Sequence, residues 1–163
     1  MPELITAIAD QAKAIKDALG QYKEVDEGDV VIAFSLADLW AKAQLQSNRN
    51  RMLIAFVGEQ SEGSNESRNR LHRVERGWQV AVTRGRQLVE GRENSLAEET
   101  TEGKPLYTIV EEIREILRRV QGITAYPPID FKSIRPMSFG NMIIDGYIIE
   151  FAISTDLVGM EFD

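Results

Sequence analysis

The chain has 163 residues, 43% hydrophobic and 28% charged, and its formal net charge is −7. These proportions are typical of a soluble globular protein, so we expect one domain over residues 1–163. With no cysteine and one histidine, His72, the chain cannot form disulfides, thiolate nucleophiles or metal sites built from several such residues, and no apolar run approaches the about 20 residues of a membrane span.

Helical spacing of apolar residues predicts the first element, a helix over residues 2–19. The continuous apolar run Val30–Phe34 predicts a strand that is covered on both faces. Ser35 with Asp38 three residues later resembles a capping box, which predicts a short helix over residues 36–46.

Two strands and two long polar segments follow. Met52–Val57 is a second apolar run and predicts a second buried strand. Residues 58–70 are rich in Gly, Ser, Asn and Glu, which predicts a mobile loop. Leu71–Thr83 alternates between apolar and polar residues, as a half-buried antiparallel strand does, and Arg76 interrupts its apolar face where a bulge is expected. Residues 85–104 predict a second mobile loop.

The last third of the chain predicts a helix and a hairpin. An unbroken apolar stripe with a charged opposite face predicts a helix over residues 105–121. Phe131–Phe139 and Met142–Ser154 predict two strands, joined by a turn at Gly140-Asn141. Pro136 places the first of these strands at an edge of the sheet, or marks a bulge in it.

The order of elements predicts the fold class. Helix, strand, short helix, strand, strand, helix, strand, strand is the order of an α+β domain. We expect a mostly antiparallel β-sheet with two long helices packed on it and one short extra helix.

The charges are unevenly distributed. Residues 47–92 carry nine basic residues, all arginine, and five acidic ones, whereas residues 1–34 and 93–163 have net charges of −4 and −7. A weakly basic middle between acidic ends argues against general nucleic-acid binding, which needs a dense basic face. Arginine forms forked contacts with carboxylates, so these segments fit either self-association between unlike surfaces or an ordinary solvated surface.

The sequence offers little for catalysis. His72 could act as a base with Glu75 or Asp130 behind it and a serine in front, the candidates being Ser61, Ser64 and Ser67. However, the chain has no nucleophile elbow, phosphate loop or dinucleotide fingerprint. We therefore predict no enzymatic activity, no catalytic residue, no cofactor and no metal site.

The whole order of elements resembles the tail terminator, or tail completion, proteins of tailed bacteriophages and phage-derived tail machines. The resemblance covers nearly the full chain and is one of element order. It is carried by the helix 2–19, the strand 51–57 leading into the loop 58–70, the strand 71–83, the helix 105–121 and the final hairpin 131–154.

The resemblance implies a structural virion protein without cofactor or catalytic residue. Such proteins form a ring, usually a hexamer, on the last ring of the tail tube, where they stop tube growth and provide the head-joining surface. The implied partners are further copies of the chain, the tail tube protein and a head-completion or neck protein. The implied location is the head-proximal end of the tail, after synthesis in the cytoplasm of the host bacterium.

Within such a ring, a set of arginines would meet acidic surfaces of a neighbouring subunit or of the tube, the candidates being Arg68, Arg70, Arg73, Arg76, Arg84 and Arg86. The acidic remainder would line a lumen that DNA traverses without sequence-specific binding and without adhering. Two alternatives stay open: a dimeric acidic α+β adaptor or chaperone with its seam at the Gly140-Asn141 hairpin, and a small hydrolase built around His72.

Overall fold

The computed structural model describes residues 7–33, 35–43, 50–61, 71–85, 104–120, 129–137 and 144–158. The helices in these ranges are α1 (Ile8–Gly20), α2 (Leu36–Ala43) and α3 (Leu106–Arg118). The strands are β1 (Val30–Ile32), β2 (Asn50–Ser61), β3 (Leu71–Gly85), β4 (Asp130–Pro136) and β5 (Ile144–Val158). A single 3-10 turn, Glu27–Asp29, leads directly into β1.

All five strands form one mixed sheet in the order β1-β2-β3-β5-β4. The pairs β2–β3, β3–β5 and β4–β5 are antiparallel, whereas β1 runs parallel to β2. The parallel pair arises because α2 carries the chain from the end of β1 back to the start of β2, as a crossover between parallel strands requires. The chain is therefore an α+β protein with a mixed sheet, and the parallel pair was not predicted from the sequence.

The helices α1 and α3 pack on one side of the sheet, which we call the helix face. The apolar stripe predicted for the helix 105–121 is buried there, and the helix is observed from Leu106 to Arg118 with Pro105 as its cap. Burying an aliphatic side chain of this size contributes about 1.5–3 kcal/mol, so this stripe is a major source of stability. Its fully or nearly fully buried members are Leu106, Ile109, Val110, Ile113 and Leu117.

On the opposite side of the sheet, the helix that the described ranges show is the short α2. Leu39 of α2 is fully buried and belongs to a second apolar cluster that includes Leu53 and Ala55 of β2, Ala81 of β3 and Ile148 of β5. Because both faces are covered there, β2 is apolar at consecutive positions from Met52 to Ala55, all of them fully buried. The prediction of a strand buried on both faces is confirmed for this part of β2.

The strand β2 is longer than predicted and has a bulge. It continues to Ser61, so residues 58–61, predicted as loop, pair with β3 instead. The pairing shifts register between Phe56 and Gly58, opposite Trp78 and Gly77, so the extra residue, Val57, lies in β2 and not in β3. Gly58 has a φ of +148°, a conformation that residues with a β-carbon rarely adopt.

Other boundaries differ as well. The first helix is described from Ile8, after Ala7 with its extended backbone angles, and residues 2–6 of the predicted helix lie outside the described residues. Strand β3 continues to Gly85, the first residue of the second predicted loop, and β5 continues to Val158. The predicted turn at Gly140-Asn141, residues 86–103 and residues 62–70 lie outside the described residues.

Candidate subunit interface

The six candidate arginines have different surroundings. Arg68, Arg70 and Arg86 lie outside the described residues, whereas Arg73, Arg76 and Arg84 all lie on β3. Arg73 is exposed, while Arg76 and Arg84 are only 4% and 1% exposed. Alternation along β3 places Arg76 and Arg84 on the same face as Trp78, Val80 and Val82, which is the helix face.

Arg76 is paired inside the subunit. Its Nε atom donates a hydrogen bond to the Glu59 Oε1 atom over 2.7 Å. Glu59 is available because β2 continues past its bulge, and it lies opposite Arg76 in the β2–β3 pairing. A buried guanidinium needs such a charged partner to offset the cost of its desolvation. The contact with Glu59 therefore belongs to the internal structure of the subunit.

Arg84 connects separate segments at the other end of β3. Its Nε atom donates to the Asn50 Oδ1 atom over 2.8 Å, and its Nη2 atom donates to the Lys104 carbonyl oxygen over 2.7 Å. The Asn50 Nδ2 atom in turn donates to the Glu24 carbonyl oxygen over 2.9 Å. Arg84 therefore contributes to the internal structure of the subunit, and Arg73 is the only described member of the candidate set that is exposed.

A second polar network lies beside Arg84, at a groove of about 610 Å³ along α1 and α3. The Tyr22 hydroxyl donates to Glu112, and the Lys104 Nζ atom donates to the same carboxylate over 2.9 Å. The hydrogen bond from Tyr22, followed by the contact with Lys104, lowers the pKa of Glu112 despite some desolvation. Desolvation, followed by the bond to Glu112, raises the pKa of Tyr22 above its ordinary value of 10.

The raised pKa of Tyr22 predicts an alkaline limit to stability. Because the folded state holds the proton more tightly than the unfolded state, this contribution is fully present below pH 10 and is lost as the pH rises above 10 towards the pKa of the folded state. When tyrosine ionisation is followed by ultraviolet absorbance, the ionisation of Tyr22 should occur above pH 10 and coincide with unfolding. This alkaline part of the titration should be missing in Tyr22→Phe. An unchanged titration in Tyr22→Phe would contradict the assignment.

The residues considered for hydrolysis are not assembled into a described catalytic site. His72 lies in β3 opposite Leu157, and its side chain is outside the described part of the structure. Ser61 is exposed at the end of β2, and Ser64 and Ser67 lie outside the described residues. Within the described ranges, no group of three or more His, Cys, Asp or Glu side chains could hold a metal ion. The helices that the structure describes include no candidate for a membrane span.

The two edges of the sheet are unlike. One edge is β1, three residues long and preceded by the exposed acidic residues Asp26 and Glu27. The other edge is β4, seven residues long, with exposed Lys132 and Arg135. The position of Pro136 on an edge strand, predicted from its missing N–H group, is confirmed.

Both edges expose an apolar side chain. Ile32 of β1 and Ile134 of β4 are each 37% exposed. Near β4, Tyr107 of α3 is 45% exposed, and its ring packs edge-on against Tyr147 of β5 at 5.7 Å. Neither isoleucine stands out in the sequence, because each one completes an otherwise ordinary strand pattern. The signal that could have identified them is their place in the two strands that end the sheet.

Comparison of the chain with protein-family models and with curated proteins found no match.

Proposed function

We propose that the protein is a tail terminator subunit that closes into a ring on the end of a phage or phage-like tail tube, stops tube growth and provides the surface for head joining. The ring would contain about six copies, and its location would be the head-proximal end of the virion tail. Its partners would be the tail tube protein and a head-completion or neck protein. No catalysis is required for this function, since a ring that caps the tube acts by occupying its end.

The observation that supports this proposal best is the pair of unlike sheet edges. A subunit with two different complementary surfaces associates head to tail, and such contacts close into rings when the rotation between subunits permits. One edge strand is short and is preceded by acidic residues, the other is longer and carries two cations and one acidic residue, and each exposes an isoleucine. The α+β architecture also agrees with the resemblance in element order. Of the six candidate arginines, Arg73 is described at the surface and remains a candidate for contact with the tube.

The proposal is tested by the mass of the assembly and by its effect on tubes. Light scattering during size-exclusion chromatography is expected to give a mass near six times that of the 18.4 kDa chain for the free ring, and a protein that is monomeric when free should form rings once tail tubes are added. Electron microscopy should then show rings at one end of the tubes, and tube growth should stop. Tubes that keep growing and carry no ring at saturating protein would overturn the proposal.

A dimeric acidic adaptor or chaperone is the alternative function. It is favoured by the net charge of −7 and by an open sheet edge, which could pair with the same edge of a second copy. A mass of twice the chain at every concentration, with no ring on added tubes, would support this alternative.

A further inference from the structure

We propose that Ile32, on the β1 edge of one copy, pairs with Ile134, on the β4 edge of the next copy, so that the sheet continues from subunit to subunit. This inference rests on the proposed ring and identifies the surface that would form it. The partner is a second copy of this chain, bound through the opposite edge.

The pairing pattern shows which groups of β4 face outward. In an antiparallel pair, residues alternate between bonding to the neighbouring strand and pointing away from it. The N–H group of Met137 donates to the Gly146 carbonyl oxygen of β5 over 2.9 Å, so position 137 faces inward. The β4–β5 pairing is regular from Ser133 to Pro136, so the alternation continues without interruption from Met137. The backbone groups of Arg135 therefore face β5, whereas those of Ile134 and Pro136 face away from it. Since proline has no N–H group, Ile134 offers the complete outward N–H and C=O pair.

The same reasoning applies to β1. The N–H group of Ala33 donates to the Ile54 carbonyl oxygen of β2 over 2.8 Å, so Ala33 and Val31 face β2. Val30 and Ile32 then face outward. However, the N–H group of Val30 is already bonded to the Glu27 carbonyl oxygen at the end of the 3-10 turn. Ile32 is therefore the position of β1 that offers both of its backbone groups.

The side chains at these two positions are also compatible. Val30 belongs to the cluster on the helix face, so alternation places Ile32 on that face as well. Ile134 lies opposite Ile149, another member of the same cluster, and thus also on the helix face. Residues directly opposite each other in a continuous sheet share a face, so the two exposed isoleucines would cover each other.

The charges near the two edges are also compatible with this pairing. In a sheet that continues with one shared face, β1 and β4 run antiparallel, so Asp26 and Glu27, which precede β1, lie towards the Arg135 end of β4, whereas Lys132 lies towards the other end, near the exposed Asp130. The ion pairs of these two cations, to Glu150 and to Asp130, lie in exposed surroundings where such pairs contribute little, so they can be exchanged.

The bulge and the proline limit the contact to one register. The β4–β5 pairing shifts between Phe131 and Ser133, and Pro136 lacks an N–H group. These features flank Ile134 and discourage a longer strand from adding to β4. Because the β1 strand is only three residues long, it fits the short open stretch between them.

Disulfide crosslinking tests the pairing directly, because the chain has no cysteine of its own. Opposite residues in a sheet have Cα atoms about 4.5–5.5 Å apart, a separation that a disulfide can bridge. Under mild oxidation, with and without tail tubes, the double variant Ile32→Cys/Ile134→Cys should give a ladder of covalent oligomers that ends at the size of the ring. Mixing the two single variants should give crosslinked dimers and nothing larger.

The controls separate this inference from the proposed function. Lys13→Cys/Ile134→Cys keeps one edge cysteine and moves the other to an exposed site on α1, away from both edges, and it should give no ladder. If the double variant forms rings but no covalent ladder, the Ile32–Ile134 pairing is wrong and the proposed ring function stands. If the wild-type protein forms no rings on tubes, the proposed ring function itself is wrong. Strong dimers of Ile134→Cys alone would overturn the pairing and favour the symmetric adaptor.

A charge exchange provides a second test that requires no oxidation. Glu27→Lys and Arg135→Glu should each reduce the ring fraction at low salt, and the two changes together should restore it. Circular dichroism of each variant checks that the subunit still folds. A combined variant that assembles no better than the single ones, while all remain folded, would contradict the proposed complementarity.

Discussion

Replacing Arg84 with alanine is expected to lower the free energy of unfolding by about 3 kcal/mol, because a buried hydrogen bond to a charged group is worth about 1.5–3 kcal/mol and Arg84 makes two described ones. The variant leaves Asn50 Oδ1 and the Lys104 carbonyl oxygen without their donor. Since these atoms belong to β2 and to the segment before α3, the loss also loosens the connection between the two. Urea unfolding followed by circular dichroism measures the effect.

Two variants control for this prediction. Arg73→Ala removes the same type of side chain from the same strand, but at an exposed position, and should change the free energy of unfolding by less than about 0.5 kcal/mol. Arg84→Lys keeps the charge but not the fork of donors, so we expect a loss intermediate between alanine and wild type. If Arg84→Ala were as stable as Arg73→Ala, the network would have no role in stability.

Replacing Trp78 with alanine is expected to lower the free energy of unfolding by about 3–5 kcal/mol, the usual effect of removing a large aromatic side chain from a core. Trp78 is 1% exposed, and it lies on the helix face of the central strand β3. Its ring contacts Phe56 at a centroid distance of 5.3 Å. The position of Trp78 beside the β2 bulge means that a cavity there would also weaken the pairing on which Glu59 and Arg76 depend.

Phenylalanine is the matched control at this position. The Trp78 Nε1 atom is buried and has no hydrogen-bond partner among the described residues, so Trp78→Phe removes no described hydrogen bond and keeps most of the ring contact. We expect the loss to stay below about 1.5 kcal/mol, as for other core substitutions that largely preserve volume. A loss in Trp78→Phe as large as that in Trp78→Ala would mean that the indole contributes more than packing.

Regular periodicity made several elements predictable from the sequence. The stripe from Leu106 to Leu117 and the alternation from Val74 to Val82 each follow one period, and the elements were found where they were expected. The end of β2 was missed because Gly58, Glu59, Gln60 and Ser61 have the composition of a loop. Their strand conformation depends on pairing with β3, which local sequence does not encode.

The roles of the arginines were predictable only in part. Arg76 was expected to interrupt the apolar face of the strand 71–83, whereas Arg84 lay outside that predicted strand, so its burial was not predicted. Their partners could not be inferred, because Glu59 was assigned to a loop and Asn50 and Lys104 are far apart in the chain. The parallel pairing of β1 was also hidden, since three residues carry no signal of strand direction.

The place of β5 between β3 and β4 has a consequence for how the chain folds. The β2–β3 hairpin is made of neighbouring segments and can form early, but every pair between β3 and β5 joins distant parts of the sequence, even the nearest one, Gly85 with Ile144. Such pairing must close a long loop before it gains stability, which slows folding. On the ribosome, the edge of β3 that pairs with β5 would therefore stay unpaired until residues 144–158 have been synthesised. A nascent chain that stalls before that point would be prone to pair through this edge with nascent chains on other ribosomes of the same mRNA.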